Sequence, residues 1–204
     1  MAAESRVERR MAATRERLVS AALALFAERG IYDTTVEDIT DAADVGKGTF
    51  YQHFPSKTAV IGHLLRDGFD DLLQQCRQEL QSASTSQERV EALLQTQFRF
   101  FEKRRDLLIL FHQVRGFMKL QLGEVRLLRK EYERYVQFLA SELAVAFNGK
   151  RYSRTTLTQI ACAMAGLVTG YLSYLVILGL ETDRRAELEI SARMFLEGFL
   201  ERPQ

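Results

Sequence analysis

Residues 44–57 read DVGKGTFYQHFPSK. Gly46 and Gly48 bracket Lys47, Phe50 and Phe54 stand four residues apart, and Pro55 interrupts the run before Lys57. Two readings put a negative partner on such a stretch: a nucleotide whose phosphates sit in a glycine loop, or a duplex whose phosphates pass a short helix. The nucleotide cradle needs a glycine five residues before the Gly-Lys pair and a Ser or Thr after it. Asp41 and Gly48 hold those places, so that reading fails. Phe50 and Phe54 share one face at i, i+4 spacing, and proline cannot continue a helix. The stretch is therefore a helix of barely two turns, entered through a tight turn at Asp44, Val45 and Gly46.

Upstream, Thr35 followed three residues later by Asp38 makes a capping-box start, with Val36, Ile39 and Ala43 as the apolar stripe of a helix over 35–42. Before it, Leu18, Ala21, Ala22, Leu25 and Phe26 recur at helical spacing and Gly30 supplies the stop, giving a helix from about 14 to 29. Downstream, Ser56 caps a long helix through Val60, Leu64, Phe69 and Leu73 to about Leu80, closed by the polar loop QSASTSQ. Further helices are expected at about 87–103, 105–118, 123–147, 154–179 and 183–201. Only Pro55 and Pro203 punctuate 204 residues in this way. The expectation is an all-α chain of about nine helices. It divides into a flexible basic arm over 1–13, a three-helix helix-turn-helix domain over 14–58, and a helical domain over 59–204.

Composition excludes some functions and leaves others to local features. Lys and Arg total 28 against 27 Asp and Glu, so whole-molecule charge argues for neither nucleic acid nor membrane. Cys76 and Cys162 match no metal or redox spacing and read as small buried hydrophobes in a reducing cytosol. The N-terminus carries Arg6, Arg9, Arg10, Arg15 and Arg17 without an apolar core that could serve as a secretory signal, which implies a cytoplasmic protein. His53, His63 and His112 have no catalytic or metal-ligating spacing, so no enzyme, no metal and no cofactor are expected. Residues 155–180 hold no charged side chain and are long enough to span a bilayer. Their threonines, Gln159 and Ser173 argue instead for a buried helix, with small residues around Gly166 and Gly170 permitting close helix approach.

On the short helix, Phe50 and Phe54 pointing inward leave Gly48 and Gln52 outward, flanked by Thr49 and Tyr51. Gly48 lets the backbone come near a groove floor, and Lys47 can reach a guanine edge or a phosphate. Thr49, Tyr51 and His53 offer donors to phosphate oxygens. Lys57 and Thr35 supply further phosphate contacts at the starts of the flanking helices. His53 reads equally as a structural histidine. Residues 1–60 hold eight basic and nine acidic side chains, a weak electrostatic footprint, so any duplex binding is expected to lean on shape, the arginine arm and dimer symmetry.

The stretch FAERGIYDTTVEDITDAADVGKGTFYQHFPSKTAV closely resembles the N-terminal domain of the TetR family of bacterial transcriptional regulators, over about residues 14–65. The resemblance implies a DNA-binding domain joined through a long fourth helix to a helical ligand-binding and dimerisation domain. It places Thr35, Lys47, Gly48, Thr49, Tyr51, His53 and Lys57 at DNA-contacting positions, and Asp44 where the family's turn usually has glycine. It implies a double-stranded palindromic operator, a homodimer, and a small effector held by helices four to eight; aromatic and methionine walls suit a lipophilic or aromatic one. Candidate pocket residues are Phe69, Phe98, Phe101, Phe111, His112, Arg115, Met118, Tyr135, Met164 and Tyr171; His112 and Arg115 hold either a ligand carboxylate or an ion pair. Candidate dimer residues are Gly166, Gly170, Tyr174, Phe195 and Phe199 on the last two helices. The alternative function is a helical interaction protein of this fold without operator binding.

Overall fold

The structure is a computed structural model that describes residues 5–117, 125–147, 152–179 and 190. Eight helices run through the described residues: α1 Arg6–Arg29, α2 Val36–Ala42, α3 Lys47–His53, α4 Lys57–Leu80, α5 Ser86–Lys103, α6 Arg105–Phe117, α7 Val125–Ala146 and α8 Arg154–Leu178. Of the helix expected at 183–201, only residue 190 is among them. The expected start of the first helix needs correction. Ser5 accepts from the Glu8 amide while Glu8 answers to the Ser5 amide, so a capping box starts α1 at Arg6 and takes residues 6–13 into the helix. The apolar periodicity that sets the expected start begins only at Leu18, two turns further on.

Two compact units form, one from Met1–Asp67 with Ile109–Arg129, the other from Gly68–Leu108 with Lys130–Gln204. The first, the head, is built around Leu18, Ala22, Phe26, Ile31, Ile39, Phe50, Phe54 and Val60, all essentially removed from solvent. Burying aliphatic and aromatic side chains of this size stabilises by about 1.5–3 kcal/mol each. The α1–α2 connection turns at Gly30, whose φ of +93° only glycine adopts freely.

In the second unit α8 packs on α5. Leu157, Ile160, Ala161, Met164, Ala165, Val168, Leu172 and Leu175 face inward. By length and composition α8 is apolar enough to cross a membrane, with a mean hydropathy of 1.9. One side of it is nevertheless a packed core face, which gives a protein-interior reason for its lack of charge. Gly179, in the left-handed conformation at φ +60°, ends it. Cys76 is buried, and burial pushes its thiol up to about 12, whereas Cys162 is exposed, against expectation.

Candidate nucleic-acid interface

The candidate face is built by α2, the turn and α3. Thr35 caps α2: its hydroxyl accepts from the Asp38 amide at 3.1 Å and donates to Asp38 Oδ2 at 2.6 Å, while the Thr35 amide donates to the same oxygen at 2.7 Å. These bonds, with Arg29 at 2.8 Å, hold the Asp38 carboxyl at about 2. In the turn, Asp44 takes the left-handed conformation at φ +51°, and Val45 N–H donates to the Thr40 carbonyl at 3.0 Å. Aspartate tolerates that region better than most residues, so the turn survives the missing glycine.

Phe50 is fully buried and Phe54 nearly so, their ring centroids 6.1 Å apart. This fixes the rotation of α3 and leaves the opposite face open. Gly48 is exposed, and a Cβ built there meets nothing within 4 Å. Tyr51 is 55% exposed, Gln52 is exposed and Thr49 is half-buried. Lys47 is exposed and reaches back to Glu37 at 2.9 Å, which raises its pKa. The pair is solvated, so it is weakened by salt.

Three expected contacts sit differently. Lys57 is half-buried and donates to the Ile31 and Thr34 carbonyls, both at 2.6 Å, so most of its donor capacity staples the α1–α2 turn; burial lowers its pKa. His53 is half-buried with Nε2 enclosed and unpartnered among the described residues, and burial, then Arg15, lowers its pKa. Its enclosure therefore disfavours the charged form. The Thr35 hydroxyl is committed to its cap.

Two residues that the sequence reading missed position this face. Arg15 spreads its guanidinium over the Phe54 ring at 4.4 Å and donates to the His53 carbonyl at 3.4 Å, holding the C-terminal end of α3. Its signal was available: Arg15, Leu18, Ala22 and Phe26 share the inward face of α1. Gln113 on α6 accepts from Ile31 N–H at 2.7 Å and donates to the Phe26 carbonyl at 2.8 Å. With 82 to 87 residues separating the partners, no local pattern announces it.

The candidate pocket residues are divided between the units. Phe69 stacks on Tyr135 at 4.9 Å and Phe98 on Tyr171 at 5.9 Å in the second unit, where Phe101 and Met164 are buried too. In the head unit Phe111 is buried, His112 is half-buried against it, and Arg115 is exposed with its guanidinium 6.0 Å from the Phe111 ring. Met118 lies outside the described residues. A polar cleft of about 270 Å³ opens between Gln75, Gln78, Glu79, Thr96, Arg99 and Lys103, and none of the candidate pocket residues lines it. Of the dimer candidates, Gly166 is half-buried, Gly170 and Tyr174 are exposed, and Phe195 and Phe199 lie outside the described residues.

Residues 18–64 match the family described as bacterial regulatory proteins, tetR family. The chain is 42% identical over 84 residues to the HTH-type transcriptional repressor KstR2 of Rhodococcus jostii, covering 41% of each protein. It is 44% identical over 70 residues to the HTH-type transcriptional repressor DhaR of a Mycobacterium species, covering 34% of this chain and 35% of that one. The matches to KstR2 proteins span only between two fifths and about half of those relatives' length. The fold is shared more widely than the sequence. A FadR regulator of Bacillus subtilis, solved with stearoyl-CoA, superimposes at a TM-score of 0.77 with 16% identity, over 90% of this chain and 98% of that one. The ketosteroid regulator KstR2 of Mycobacterium tuberculosis does so at 0.66 with 20% identity, over 90% and 93%. Residues 18–64 thus match the DNA-binding domain of the tetR family of bacterial regulatory proteins, and the all-helical fold is shared over nine tenths of the chain with these solved structures.

Proposed function

We propose that the chain is a cytoplasmic, ligand-responsive repressor that binds a palindromic DNA operator as a homodimer. The observation that carries this reading is the open face of α3, where Gly48, Tyr51 and Gln52 stand in solvent while Phe50 is locked inward. A helix presenting a bare backbone and polar tips fits the major groove, with Lys47, Thr49 and Tyr51 on phosphates and base edges. Loss of one hydrogen bond to a charged phosphate is worth about 1.5 kcal/mol, or about tenfold in affinity. Mobility shift of the duplex flanking the chain's own gene tests it: Tyr51→Ala weakens binding by about that factor. A shift unaffected by Tyr51→Ala and Lys47→Ala together refutes the placement of α3.

The dimer rests on α8. Its outer face exposes Gly170, Tyr174, Ile177 and Leu178, and a Cβ at Gly166 or Gly170 meets nothing within 4 Å in the chain itself. A second copy of the same helix covers such a face and sets the half-site spacing. The effector is lipophilic with an oxygen function. Supporting this, the stacked pairs Phe69–Tyr135 and Phe98–Tyr171 make an aromatic interior. The Tyr171 hydroxyl there is buried without a partner among the described residues, and a buried polar atom of that kind favours a ligand that satisfies it. Effector binding favours a dimer geometry with the wrong half-site spacing and so releases DNA.

A further inference from the structure

The polar cleft of about 270 Å³ in the second unit is used by neither the operator nor the effector reading. It lies between Gln75, Gln78 and Glu79 of α4 and Thr96, Arg99 and Lys103 of α5, and it has room for about nine waters at about 30 Å³ each. Every lining side chain is polar or charged, so its occupant is hydrophilic, unlike the lipophilic effector. Each helix contributes one stripe: Gln75, Gln78 and Glu79 at i, i+3 and i+4, and Thr96, Arg99 and Lys103 at i, i+3 and i+7. Two cations stand against one acid. Arg99 meets Glu79 at 3.5 Å, both side chains half exposed, well beyond the roughly 2.8 Å of a strong charge-assisted bond, so most of the guanidinium N–H groups are free. Lys103, exposed in the last turn of α5, has no ion pair or hydrogen bond among the described residues, and neither carboxamide of Gln75 and Gln78 has one. A crevice of such residues alone holds water. Thr96 sets this one apart: it is 2% exposed, and its hydroxyl has no partner among the described residues. A buried hydroxyl without a bond is costly, and threonine in a helix has two χ1 positions open to it, so the group can turn to an oxygen seated in the cleft.

Charge narrows the class of ligand. Glu79 already offers Arg99 a carboxylate, so a ligand carboxylate exchanges like for like and gains little. A phosphate monoester brings close to two negative charges and three acceptor oxygens. That is enough to join Arg99 to Lys103, about 6 Å further along α5, and to accept from Thr96 as well. Bare phosphate leaves both carboxamides unused, whereas hydroxyl groups on a small carrier meet their donors and acceptors. We infer that this cleft is a binding site for the phosphate monoester of a small hydrophilic molecule. Arg99 and Lys103 hold the phosphate, Thr96 donates to it, Gln75 and Gln78 bond the carrier, and Glu79 is the group it displaces. The inference is independent of the operator reading, which rests on other residues and another partner.

Calorimetric titration of the full chain, without DNA, tests it with glycerol 3-phosphate, inorganic phosphate, glycerate and glycerol. Glycerol 3-phosphate binds saturably at a single site per chain, about tenfold or more tighter than inorganic phosphate or glycerate, and glycerol does not bind. Arg99→Gln and Lys103→Gln each weaken it by about tenfold, with an unchanged thermal unfolding midpoint that excludes loss of fold. Glu79→Gln tightens it severalfold by freeing Arg99. Thr96→Val weakens it while raising the unfolding midpoint of the ligand-free chain, because an orphaned hydroxyl is removed; a threonine with a purely structural bond lowers that midpoint instead, which overturns its part in the site. Absence of saturable glycerol 3-phosphate binding, or affinity unaltered in Arg99→Gln and Lys103→Gln, overturns the site. Glycerate binding as tightly as glycerol 3-phosphate overturns the phosphate class, and inorganic phosphate doing so overturns the carrier contacts. Binding of phosphatidic acid vesicles without binding of the soluble ester overturns the choice of a soluble ligand.

Discussion

Replacing Gln113 is expected to destabilise the head through a single carboxamide. Its oxygen accepts from Ile31 N–H at 2.7 Å and its nitrogen donates to the Phe26 carbonyl at 2.8 Å, at a residue, Ile31, that is only 1% exposed. Methionine preserves the length and apolar stem of the side chain but neither bond. The Phe26 carbonyl still accepts from Gly30 N–H at 3.2 Å, so its loss is partial. Ile31 N–H has no such fallback, and an orphaned buried donor costs about 1–3 kcal/mol. Gln113→Met should therefore lower the unfolding free energy by about 2 kcal/mol. For a chain of this size that is a fall of about 4–8 °C in the unfolding midpoint.

Gln113→Glu sharpens the argument because its sign depends on pH. An ionised carboxylate can accept from Ile31 N–H but faces the Phe26 carbonyl with lone pair against lone pair. The protonated acid restores both bonds, so the folded-state pKa of this glutamate rises above its unfolded value of about 4.3. Its destabilisation is present at neutral pH, shrinks as pH falls through the raised folded value, and is gone below the unfolded one. Urea unfolding of wild type, Gln113→Met and Gln113→Glu at pH 7 and pH 5 measures it. A methionine variant within about 0.5 kcal/mol of wild type, or a glutamate variant whose deficit is the same at both pH values, refutes this role for Gln113.

Four further outcomes follow from the same geometry. Gly48→Ala adds a Cβ to open space, so it should stabilise the free protein by about 0.5–1 kcal/mol while weakening operator binding; unchanged binding removes the close backbone approach. Lys57→Met strips the Ile31 and Thr34 carbonyls of their donor and should cost about 2 kcal/mol of stability; a loss of DNA affinity with stability intact restores the phosphate role instead. Asp38 should titrate at about 2 by carboxyl NMR and move up towards its ordinary range in Thr35→Val. Because its folded value is depressed, the cap's contribution is present above about pH 4 and lost as pH falls through about 2. Gly170→Leu should leave the chain folded but shift sedimentation towards monomer; an intact dimer moves the interface off α8.

Most of the head was legible because its signals are local. The capping box at Thr35 and Asp38, the Phe50–Phe54 pair and the break at Pro55 each lie within one helical turn, and each fixes an element by itself. Ser5 and Glu8 carry the same kind of signal for α1, but it was masked by arginines and alanines that bury nothing, so the helix read as starting at its apolar stripe. The internal contacts of Lys57 and His53 were not legible for a different reason. Sequence gives the charge and hydrogen-bonding capacity of a side chain, not the groups that already use it, and both residues are occupied or enclosed by atoms brought in from elsewhere in the chain. Gln113 is the limiting case, a polar residue on an amphipathic helix whose role exists only once the end of α1 is folded beside it.

The same distinction decides how far net charge can be trusted. Eight cations against nine acids in residues 1–60 suggest a surface with little attraction for DNA. Internal pairing removes basic and acidic side chains together from that count, and what reaches solvent is set by which pairs close: Arg29 with Asp38 and Lys47 with Glu37 cancel, whereas Arg6, Arg10 and Arg17 fall on one side of a capped helix with no acid among them. Electrostatic attraction decays within about 8 Å at physiological salt, so any charged partner responds to the local pattern of charge and not to the sum. A balanced composition is therefore compatible with a locally positive surface, and here Arg6, Arg10 and Arg17 make one on the exposed side of α1.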